Sequence, residues 1–535
     1  MRILIFHGYL LEGTGSNVYN ARLAVALVSL GHEVHLLCQD RHPERQPFAE
    51  ARGDWDAGEL HVRALRRDPR CTVYRPDIGG LLPVYVADRY EGVEARTFAR
   101  CSDAEIEHYI AANVAAVREL TARVRPQLAL ANHLVMGPAI LARAFAREPG
   151  VPYAVKVHGS ALEYTVKTEP ERFLPFAREG LAGARTVLVG SRHTAHSLWD
   201  ALADPRLPER TRLGPPGVDV HRFRPAFDAS QEPIHALAAS LRAAAAIHDP
   251  GLDSADAFAR DELAAAVALE RLVALVEEQG ARPVAFVGKL IVSKGVDLLL
   301  AAWPLVLERV PRATLVVVGF GAYRGALERL LAALAGARLE EAIELARAGR
   351  ALEGESSATP LRHLLAFLLA LDGERRERYL RAARRLPERV IFSGRLDHDE
   401  LAELLPACEA LVVPSTFPEA FGMVAAEAAA CGALPVSAAH SGLAEVSEAL
   451  ARAVPAQVAP WLSFAVDDHA VAALAECVAG WLLADERIRA QARAGLVATV
   501  RERWSWEGVA RGVIAAAQGE LATLARPDDF ARSVG

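Results

Sequence analysis

Two lysines in a glycine-bounded segment could bind phosphate. Lys289 and Lys294 lie in residues 288–295, which begin and end with glycine and follow an apolar strand pattern. Two ammonium groups beside the N-terminus of the helix predicted over 296–306 suit one diphosphate. Lysine occurs only four times among the 60 basic residues, so its double use here favours phosphate binding over a solvent-exposed basic turn. The segment is not a P-loop, because proline and leucine occupy two positions of that motif.

Two glutamates after a later strand could bind hydroxyl groups. Glu419 lies in the loop after the strand pattern 411–413, and Glu427 lies at least one turn into the helix predicted from Gly422. Both carboxylates can then face the same ligand, beside the unpaired N–H groups at the helix start. Carboxylates accept hydrogen bonds and amides donate them, which suits a sugar. The alternative is one helix-capping glutamate and one surface glutamate.

The first half of the chain holds two further candidate loops. Gly13 and Gly15 separate the first strand from the first helix, where backbone without side chains can approach an anion. The fingerprint of a dinucleotide-binding turn is incomplete, because Val18 takes the place of its third glycine. His158 follows another predicted strand and could bond a substrate hydroxyl or move a proton. A capped turn and a core histidine are the alternatives at these two places.

Two other motifs receive no chemical role. Residues 319–321 echo a Rossmann turn, but Arg324 stands where a further glycine is needed. Asp397, His398 and Asp399 look like an acidic metal site, but their place before a helix pattern favours helix capping. The six cysteines are scattered without metal-ligand spacing. We therefore expect no metal site and no cofactor.

Strands and helices alternate in both halves of the chain, which predicts an α/β fold of parallel sheets with helices on both faces. The strand patterns of the first half lie at 3–7, 34–38, 128–132, 153–157 and 187–189. Those of the second half lie at 284–287, 314–318, 390–393 and 410–413. Two doubly wound, Rossmann-like domains suggest a cleft between them, with ligands at the carboxyl ends of the strands.

Two alanine-rich segments interrupt this pattern. Residues 226–280 and 337–388 are helical in period and almost without strand signals, so we predict a helical insertion or linker at 226–280 and a second helical insertion at 337–388. Amphipathic helices must bury their apolar stripes, and we expect residues 240–280 and 337–388 to pack outside the domains or on a second subunit, away from the ligand-binding cleft. The predicted division places a first domain at 1–225 and a second at 281–500. Residues 501–535 form a separate C-terminal helical segment.

The composition excludes several classes of protein. The chain has 535 residues, of which 52% are hydrophobic and 24% charged, as in a globular protein. A net charge of −7 argues against nucleic acid as the main ligand. The longest apolar run, near 364–371, is too short to span a membrane, and the N-terminus lacks a signal-peptide pattern. With scattered cysteines as well, we expect a cytoplasmic protein.

In their order along the chain, these residues resemble a family 4 glycosyltransferase, a retaining enzyme of the GT-B fold. The strongest part is Glu419 and Glu427, with seven residues between them that include Phe421 and Gly422. The lysine segment is similar to the diphosphate clamp of that family. The remaining landmarks are the segments 216–219, 393–396, 431–436 and 441–445, and Trp504-Ser505-Trp506, which resembles the start of the helix that crosses back to the N-terminal domain.

The resemblance implies a role for each matching residue. Lys289 and Lys294 would hold the diphosphate and stabilise it as a leaving group without a metal ion. Glu427 would bind the ribose, and Glu419 would bind the hydroxyls of the sugar. The sugar would also be contacted by the ring of His158 and by the amides of Phe421, Gly422 and Met423. The nucleobase would be contacted by Gly394, Arg395 and Leu396. Gly13 and Gly15 would lie near the diphosphate and the acceptor.

The implied reaction moves a sugar from a nucleoside-diphosphate sugar, which is a co-substrate rather than a cofactor. The sequence does not distinguish between a small polar molecule, a glycan and a lipid-linked molecule as the acceptor. It is also compatible with a homo-oligomer that forms through the insertions. Two alternatives use the same residues differently. One is an NAD-dependent oxidoreductase built on the first domain, and the other is a non-catalytic scaffold that binds nucleotide sugars.

Overall fold

The computed structural model describes residues 1–12, 15–56, 58–86, 93–146, 150–226, 230–247, 260–354 and 359–528. The chain divides into two compact units. The first unit is Met1–Gly217 together with Trp504–Gly535, and the second unit is Val218–Arg503.

A nine-stranded sheet forms the centre of the first unit. Its strand order is β11-β10-β9-β8-β1-β2-β5-β3-β4, and all neighbours are parallel except the pair β3 and β4. A separate parallel pair is formed by β6 and β7. The strands are β1 Arg2–Phe6, β2 Glu33–Leu37, β3 Ala51–Asp56, β4 Glu59–Ala64, β5 Cys71–Arg75, β6 Leu81–Val84, β7 Glu94–Thr97, β8 Leu128–Asn132, β9 Tyr153–Lys156, β10 Thr186–Val189 and β11 Thr211–Leu213.

Helices cover this sheet and connect its parallel strands. They are α1 Gly15–Ser29, α2 Asp103–Val124, α3 Gly137–Phe145, α4 Gly159–Ala161, α5 Pro170–Ala182, α6 Arg192–Leu202 and α7 Leu207–Arg210. The start of α2 is fixed by a capping box, in which Ser102 accepts from the N–H of Glu105 and the Glu105 carboxylate accepts from the N–H of Ser102.

The second unit holds a six-stranded parallel sheet of order β14-β13-β12-β15-β16-β17. Its strands are β12 Arg282–Val287, β13 Ala313–Val318, β14 Val390–Gly394, β15 Ala410–Val413, β16 Leu434–Ala438 and β17 Ser463–Phe464. Its helices are α8 Glu232–Ile247, α9 Glu262–Gln279, α10 Val296–Arg309, α11 Arg324–Ala335, α12 Leu339–Ala348, α13 Arg362–Leu369, α14 Gly373–Ala383, α15 Leu386–Arg389, α16 His398–Leu404, α17 Met423–Ala430, α18 Ser441–Ala451, α19 Ala470–Leu483 and α20 Glu486–Arg503.

The C-terminal segment packs into the first unit through the helix α21, Trp506–Gln518. Trp506, Ala510 and Val513 are buried in the same hydrophobic cluster as Ile3 of β1 and Tyr19 of α1. Burying this apolar face stabilises the helix against the sheet. The first unit is therefore built from both ends of the chain.

The two alanine-rich segments lie within the second unit. The described part of 226–280 is not a separate linker, because α8 and α9 pack on each other and α9 packs beside β14 within the second unit. The first unit correspondingly ends at Gly217 and not at residue 225. The small side chains of α9 allow close packing, and Ala265, Leu269 and Leu272 are buried.

The second alanine-rich segment, 337–388, is likewise part of the second unit. The hydroxyl of Tyr379 in α14 is buried and donates to the carbonyl of Ala301 in α10, at 2.9 Å. The carboxylate of Glu353 accepts from the N–H of Val292 at 2.5 Å, inside the predicted phosphate-binding loop. The segment 337–388 therefore contacts the lysine loop through Glu353. The apolar stripes of this segment cover α10 and α11. The sequences of these two helices do not indicate which segment covers them.

Candidate functional site

The loop after β12 is held by its neighbours in the sheet. The N–H of Gly288 donates to the carbonyl of Val318 at 3.1 Å, and the N–H of Leu290 donates to Phe320 at 2.7 Å. The turn at 319–321, which resembled a nucleotide-binding turn, is thus a packing partner of the lysine loop. Lys289 lies between these two hydrogen-bonded positions and is half-buried.

The other end of the lysine loop packs against the end of β15. Gly295 has a φ of 66°, and a Cβ at this position would collide with the carbonyl of Pro414, so glycine is required on both counts. The N–H of Thr416 donates to the carbonyl of Ser293 at 2.9 Å. These contacts place the ammonium group of Lys294 next to the loop that contains Glu419.

Lys294 and Glu419 form an ion pair, with the Nζ atom of the lysine donating to Oε1 of the glutamate. Both side chains are half-buried, at 29% and 24% exposed. Burial opposes ionisation of Glu419, but the charge of Lys294 and a hydrogen bond from Ser415 at 2.7 Å outweigh it and hold the pKa of the carboxyl below its ordinary value. The carboxylate is therefore charged at neutral pH.

A second set of hydrogen bonds fixes the backbone of Glu419. Its N–H donates to Oγ of Ser441 at 2.9 Å, and Nδ1 of His440 lies 3.0 Å from the same oxygen. Nε2 of His440 lies 2.8 Å from the carbonyl of Ser415 and donates to it, since a carbonyl oxygen can only accept. Ser415, His440 and Ser441 were missed as site residues, although 441–445 had been recognised as a family landmark.

The helix α17 begins directly behind this loop. Gly422 has a φ of 116°, and a Cβ there would lie 2.6 Å from the side chain of Leu443, so the turn needs glycine. Phe421 is buried, whereas Gly422 and Met423 are half-buried. The N-terminal end of α17 therefore presents backbone N–H groups next to Glu419.

Glu427 lies inside α17 and is only 2% exposed. Its Oε1 atom lies 2.7 Å from Nε2 of His398, whose ring packs against Phe223 at a centroid distance of 4.8 Å. His398 was considered only as part of an acidic motif, and its role as the partner of Glu427 was missed because no spacing rule links the two positions. Asp397 accordingly caps α16, as predicted, together with the carboxylate of Glu400, which accepts from the N–H of Asp397 at 2.7 Å.

The segment after β14 completes the group of loops. The carbonyl of Gly394 accepts from the N–H of Gly319 at 2.9 Å, and Leu396 is buried. The guanidinium of Arg395 lies over the ring of Phe320, 5.3 Å from its centroid. The described residues of the chain contain no group of three or more His, Cys, Asp or Glu side chains that could hold a metal ion.

The first unit holds the remaining predicted residues. Gly15 begins α1, and Gly13 lies outside the described residues. His158 follows β9, with Nε2 lying 2.9 Å from Oδ1 of the buried Asn132. Burial lowers the pKa of Lys156, in β9, to about 7, and its Nζ donates to the carbonyl of Gly214 at 2.7 Å.

Each unit thus gathers its candidate residues at the carboxyl ends of parallel strands, where ligands bind in such sheets. In the second unit the loops after β12, β14 and β15 bring together the two lysines, the two glutamates and the segment 394–396. In the first unit His158 and the start of α1 lie at the ends of β9 and β1. Within the described ranges, no helix is both long enough and apolar enough to cross a membrane.

Comparison with known proteins identifies two domains in the chain. Residues 14–207 match the family model described as glycosyl transferase 4-like domain, and residues 363–493 match the model of glycosyl transferases group 1. The first match includes His158. The second includes Glu419 and Glu427 but begins after the lysine loop, whose assignment rests on its own motif and geometry.

One curated relative and two solved structures extend this finding. D-inositol 3-phosphate glycosyltransferase of Segniliparus rotundus is 28% identical over 315 residues, which cover 59% of this chain and 48% of that protein. The chain therefore matches about half the length of this relative. Sucrose-phosphate synthase from Thermosynechococcus elongatus has a TM-score of 0.55 at 18% identity, over 98% of this chain and 99% of that chain.

HepE of Anabaena, solved in complex with UDP and glucose, has a TM-score of 0.52 at 16% identity, over 98% of this chain and 100% of that one. At these identities the solved structures establish the fold. Together with the two family matches they confirm the predicted resemblance to family 4 glycosyltransferases and the GT-B fold.

Proposed function

We propose that this chain, a glycosyltransferase of the GT-B fold, transfers a sugar from a nucleoside-diphosphate donor to a hydroxyl group with retention of the anomeric configuration. The observation that carries the proposal is the half-buried ion pair of Lys294 and Glu419, on two loops at the carboxyl edge of the second sheet. A cation for phosphate and a carboxylate for hydroxyls are adjacent there, which is the combination that a nucleotide sugar requires.

The lysine loop would stabilise the leaving diphosphate. Charge develops on the phosphate oxygen as the bond to the sugar breaks, and preorganised cations and backbone N–H groups lower the energy of that state. Lys289, Lys294 and the N-terminal ends of α10 and α17 supply both kinds of group. In the free protein Glu419 neutralises Lys294, so arrival of a diphosphate would leave the carboxylate available for sugar hydroxyls.

Glu427 would bind the ribose of the nucleotide. His398 occupies one of its carboxylate oxygens, and a carboxylate has further lone pairs to accept hydrogen bonds from ribose hydroxyls. Gly394, Arg395 and Leu396 would contact the nucleobase. The UDP named in the HepE complex supports UDP as the first nucleotide to test.

The remaining partners are proposed from the resemblance to known proteins. The name of the Segniliparus relative supports a small polar acceptor over a glycan or a lipid-linked one. The nucleotide sugar would be the co-substrate, and neither a metal ion nor another cofactor would take part. The six cysteines of the chain are all unpaired and buried, which suits a reducing, cytoplasmic environment.

A thermal-shift screen with UDP, ADP, GDP and NAD tests this function, because a ligand that binds only the folded state raises the unfolding midpoint. We expect one nucleoside diphosphate to raise it and NAD not to. A response to NAD alone would support the oxidoreductase alternative instead. With a sugar derivative of the nucleoside diphosphate that responds as the donor, proton NMR of fresh product would show the retained configuration, and an inverted product would refute the stereochemical part.

A further inference from the structure

A chain of imidazole and amide side chains runs through the first unit at the ends of β1, β8 and β9. His7, Asn20 and Asn132 are at most 2% exposed, and His158 is half-buried. Nδ2 of Asn20 lies 3.0 Å from Nδ1 of His7. Nδ2 of Asn132 donates to Oδ1 of Asn20 at 2.7 Å. Nε2 of His158 lies 2.9 Å from Oδ1 of Asn132, so the four side chains form one continuous series of hydrogen bonds.

Backbone carbonyls fix the direction of this series, since a carbonyl can only accept. Nδ2 of Asn20 also donates to the carbonyl of Ser16 at 2.9 Å, so the amide oxygen of Asn20 faces Asn132. Nδ2 of Asn132 also donates to the carbonyl of Phe6 at 3.2 Å, so its amide oxygen faces His158. Because that oxygen accepts, Nε2 of His158 must carry the proton.

The other ring nitrogen of His158, Nδ1, is left as a hydrogen-bond acceptor. It has no partner within the described part of the chain, and it is not fully buried. Burial, followed by the neighbouring His133, Lys156 and His7, holds the pKa of His158 well below its ordinary value, so the ring is neutral at neutral pH. Tyr19 packs edge-on at a centroid distance of 5.3 Å and is uncharged, since burial raises its pKa.

We propose that Asn132 is a positioning residue that holds His158 as the Nε2–H tautomer, so that Nδ1 accepts a hydrogen bond from a hydroxyl group of the substrate. The ring then selects for a group that carries a hydrogen, and it disfavours a carbonyl, carboxylate or phosphate oxygen at the same place. The identity of the substrate rests on the proposed function, whereas the tautomer follows from the hydrogen bonds alone.

NMR can measure the tautomer without any substrate. Protein labelled with ¹⁵N in its 17 histidines gives side-chain correlations that distinguish the Nε2–H, Nδ1–H and charged forms, and the His158→Gln variant assigns the signal of His158. We expect the neutral Nε2–H form at neutral pH. A neutral Nδ1–H form or a charged ring would overturn the proposal, whatever the activity of the enzyme.

Three variants test whether Asn132 sets that tautomer. Asn132→Leu keeps the approximate volume but removes the accepting oxygen, and we expect a mixture of tautomers. Asn113→Leu is the matched control, because Asn113 is 1% exposed and its amide donates to the carbonyl of Tyr109 at 2.8 Å, outside the series. Asn132→Asp keeps an oxygen that accepts from Nε2, so Nε2 should stay protonated in that variant. An unchanged tautomer in Asn132→Leu would exclude the positioning role.

Calorimetric titrations with UDP and UDP-glucose as probes show whether the hydroxyl group belongs to the transferred sugar or to the acceptor. If Nδ1 binds the transferred sugar, Asn132→Leu weakens UDP-glucose binding about tenfold and leaves UDP binding unchanged. If it binds the acceptor, both affinities persist and the transfer rate falls about tenfold. Unchanged affinities together with an unchanged rate would refute the proposal. A wild-type protein that binds no sugar nucleotide refutes the proposed function instead, and leaves the tautomer to be decided by NMR.

Discussion

At the scale of single residues, the site pairs opposite charges before any ligand arrives. Glu419 stays ionised despite burial because Lys294 and Ser415 stabilise the charged form. Glu427, inside the helix α17, has a different partner, the imidazole of His398. The two carboxylates are therefore distinct in environment, although the sequence presents them as one motif, and they should respond differently to mutation.

Glu427→Ala should weaken UDP binding about tenfold or more, because the hydrogen bonds that its carboxyl group would accept from ribose hydroxyls are lost. Glu419→Ala should reduce turnover of the sugar nucleotide more than it reduces affinity for bare UDP. Calorimetry with UDP and steady-state kinetics with the sugar nucleotide distinguish these outcomes. Equal losses of UDP affinity in both variants would contradict the division of roles.

Lys156 gives the first unit a stability that depends on pH. Burial lowers its pKa to about 7 in the folded protein, against about 10.4 in an unfolded chain. Between these values the unfolded chain binds more protons, so the free energy of unfolding should rise with pH from about 7 to about 10. Urea unfolding of the wild type and of Lys156→Met across this range measures the effect. A difference between the two proteins that does not change with pH would exclude it.

At the scale of elements, strands composed of apolar residues were predicted well, whereas strands with many polar residues at the edge of a sheet were predicted poorly. The patterns at 128–132 and 410–413 coincide with β8 and β15, because buried strands of a parallel sheet are apolar on both faces. The strands β3 and β4 were missed, since their exposed side chains are mostly polar. The segment 337–388 was predicted to pack outside a domain, but the sequence did not indicate that it would cover α10 and α11. Helical periodicity shows that a face must be buried but not which surface covers it.

Glu353 makes this packing relevant to the site. Its carboxylate accepts from the N–H of Val292, in the first turn of the short helix Val292–Lys294. Glu353→Ala should loosen the lysine loop and weaken UDP binding about tenfold, since the hydrogen bond from the N–H of Val292 is lost. Glu344→Ala, at an exposed position of α12 in the same segment, is the matched control. Equal UDP affinities of the two variants in calorimetry would refute this role.

At the scale of the whole molecule, the two family matches fall in different units, with 14–207 in the first and 363–493 in the second. The order of motifs was sufficient to predict the fold class, because both sheets follow from alternating strands and helices. The hydrogen-bond partners of the site residues, such as His398 and Asn132, could not be predicted, since they come from distant positions that only the fold brings together.

Added EDTA should leave transfer activity largely unchanged. Lys289, Lys294 and backbone N–H groups at helix starts would already counter the charge of the leaving diphosphate. Residual divalent ions are removed by dialysis before the assay, and activity is measured with and without chelator. Complete loss of activity, restored by Mg²⁺ or Mn²⁺, would show that a metal ion shares this task.

The most direct test of the account is the affinity of Lys294→Ala for UDP. The control is Lys167→Ala, since Lys167 forms a comparable ion pair with Glu163 at 3.0 Å in the first unit and is 39% exposed. Losing one charge-assisted phosphate contact costs on the order of 1.5–3 kcal/mol, which corresponds to a ten- to hundredfold weaker complex. We predict that loss for Lys294→Ala and unchanged binding for Lys167→Ala. Wild-type affinity in Lys294→Ala would contradict the assignment of the lysine loop as the diphosphate site.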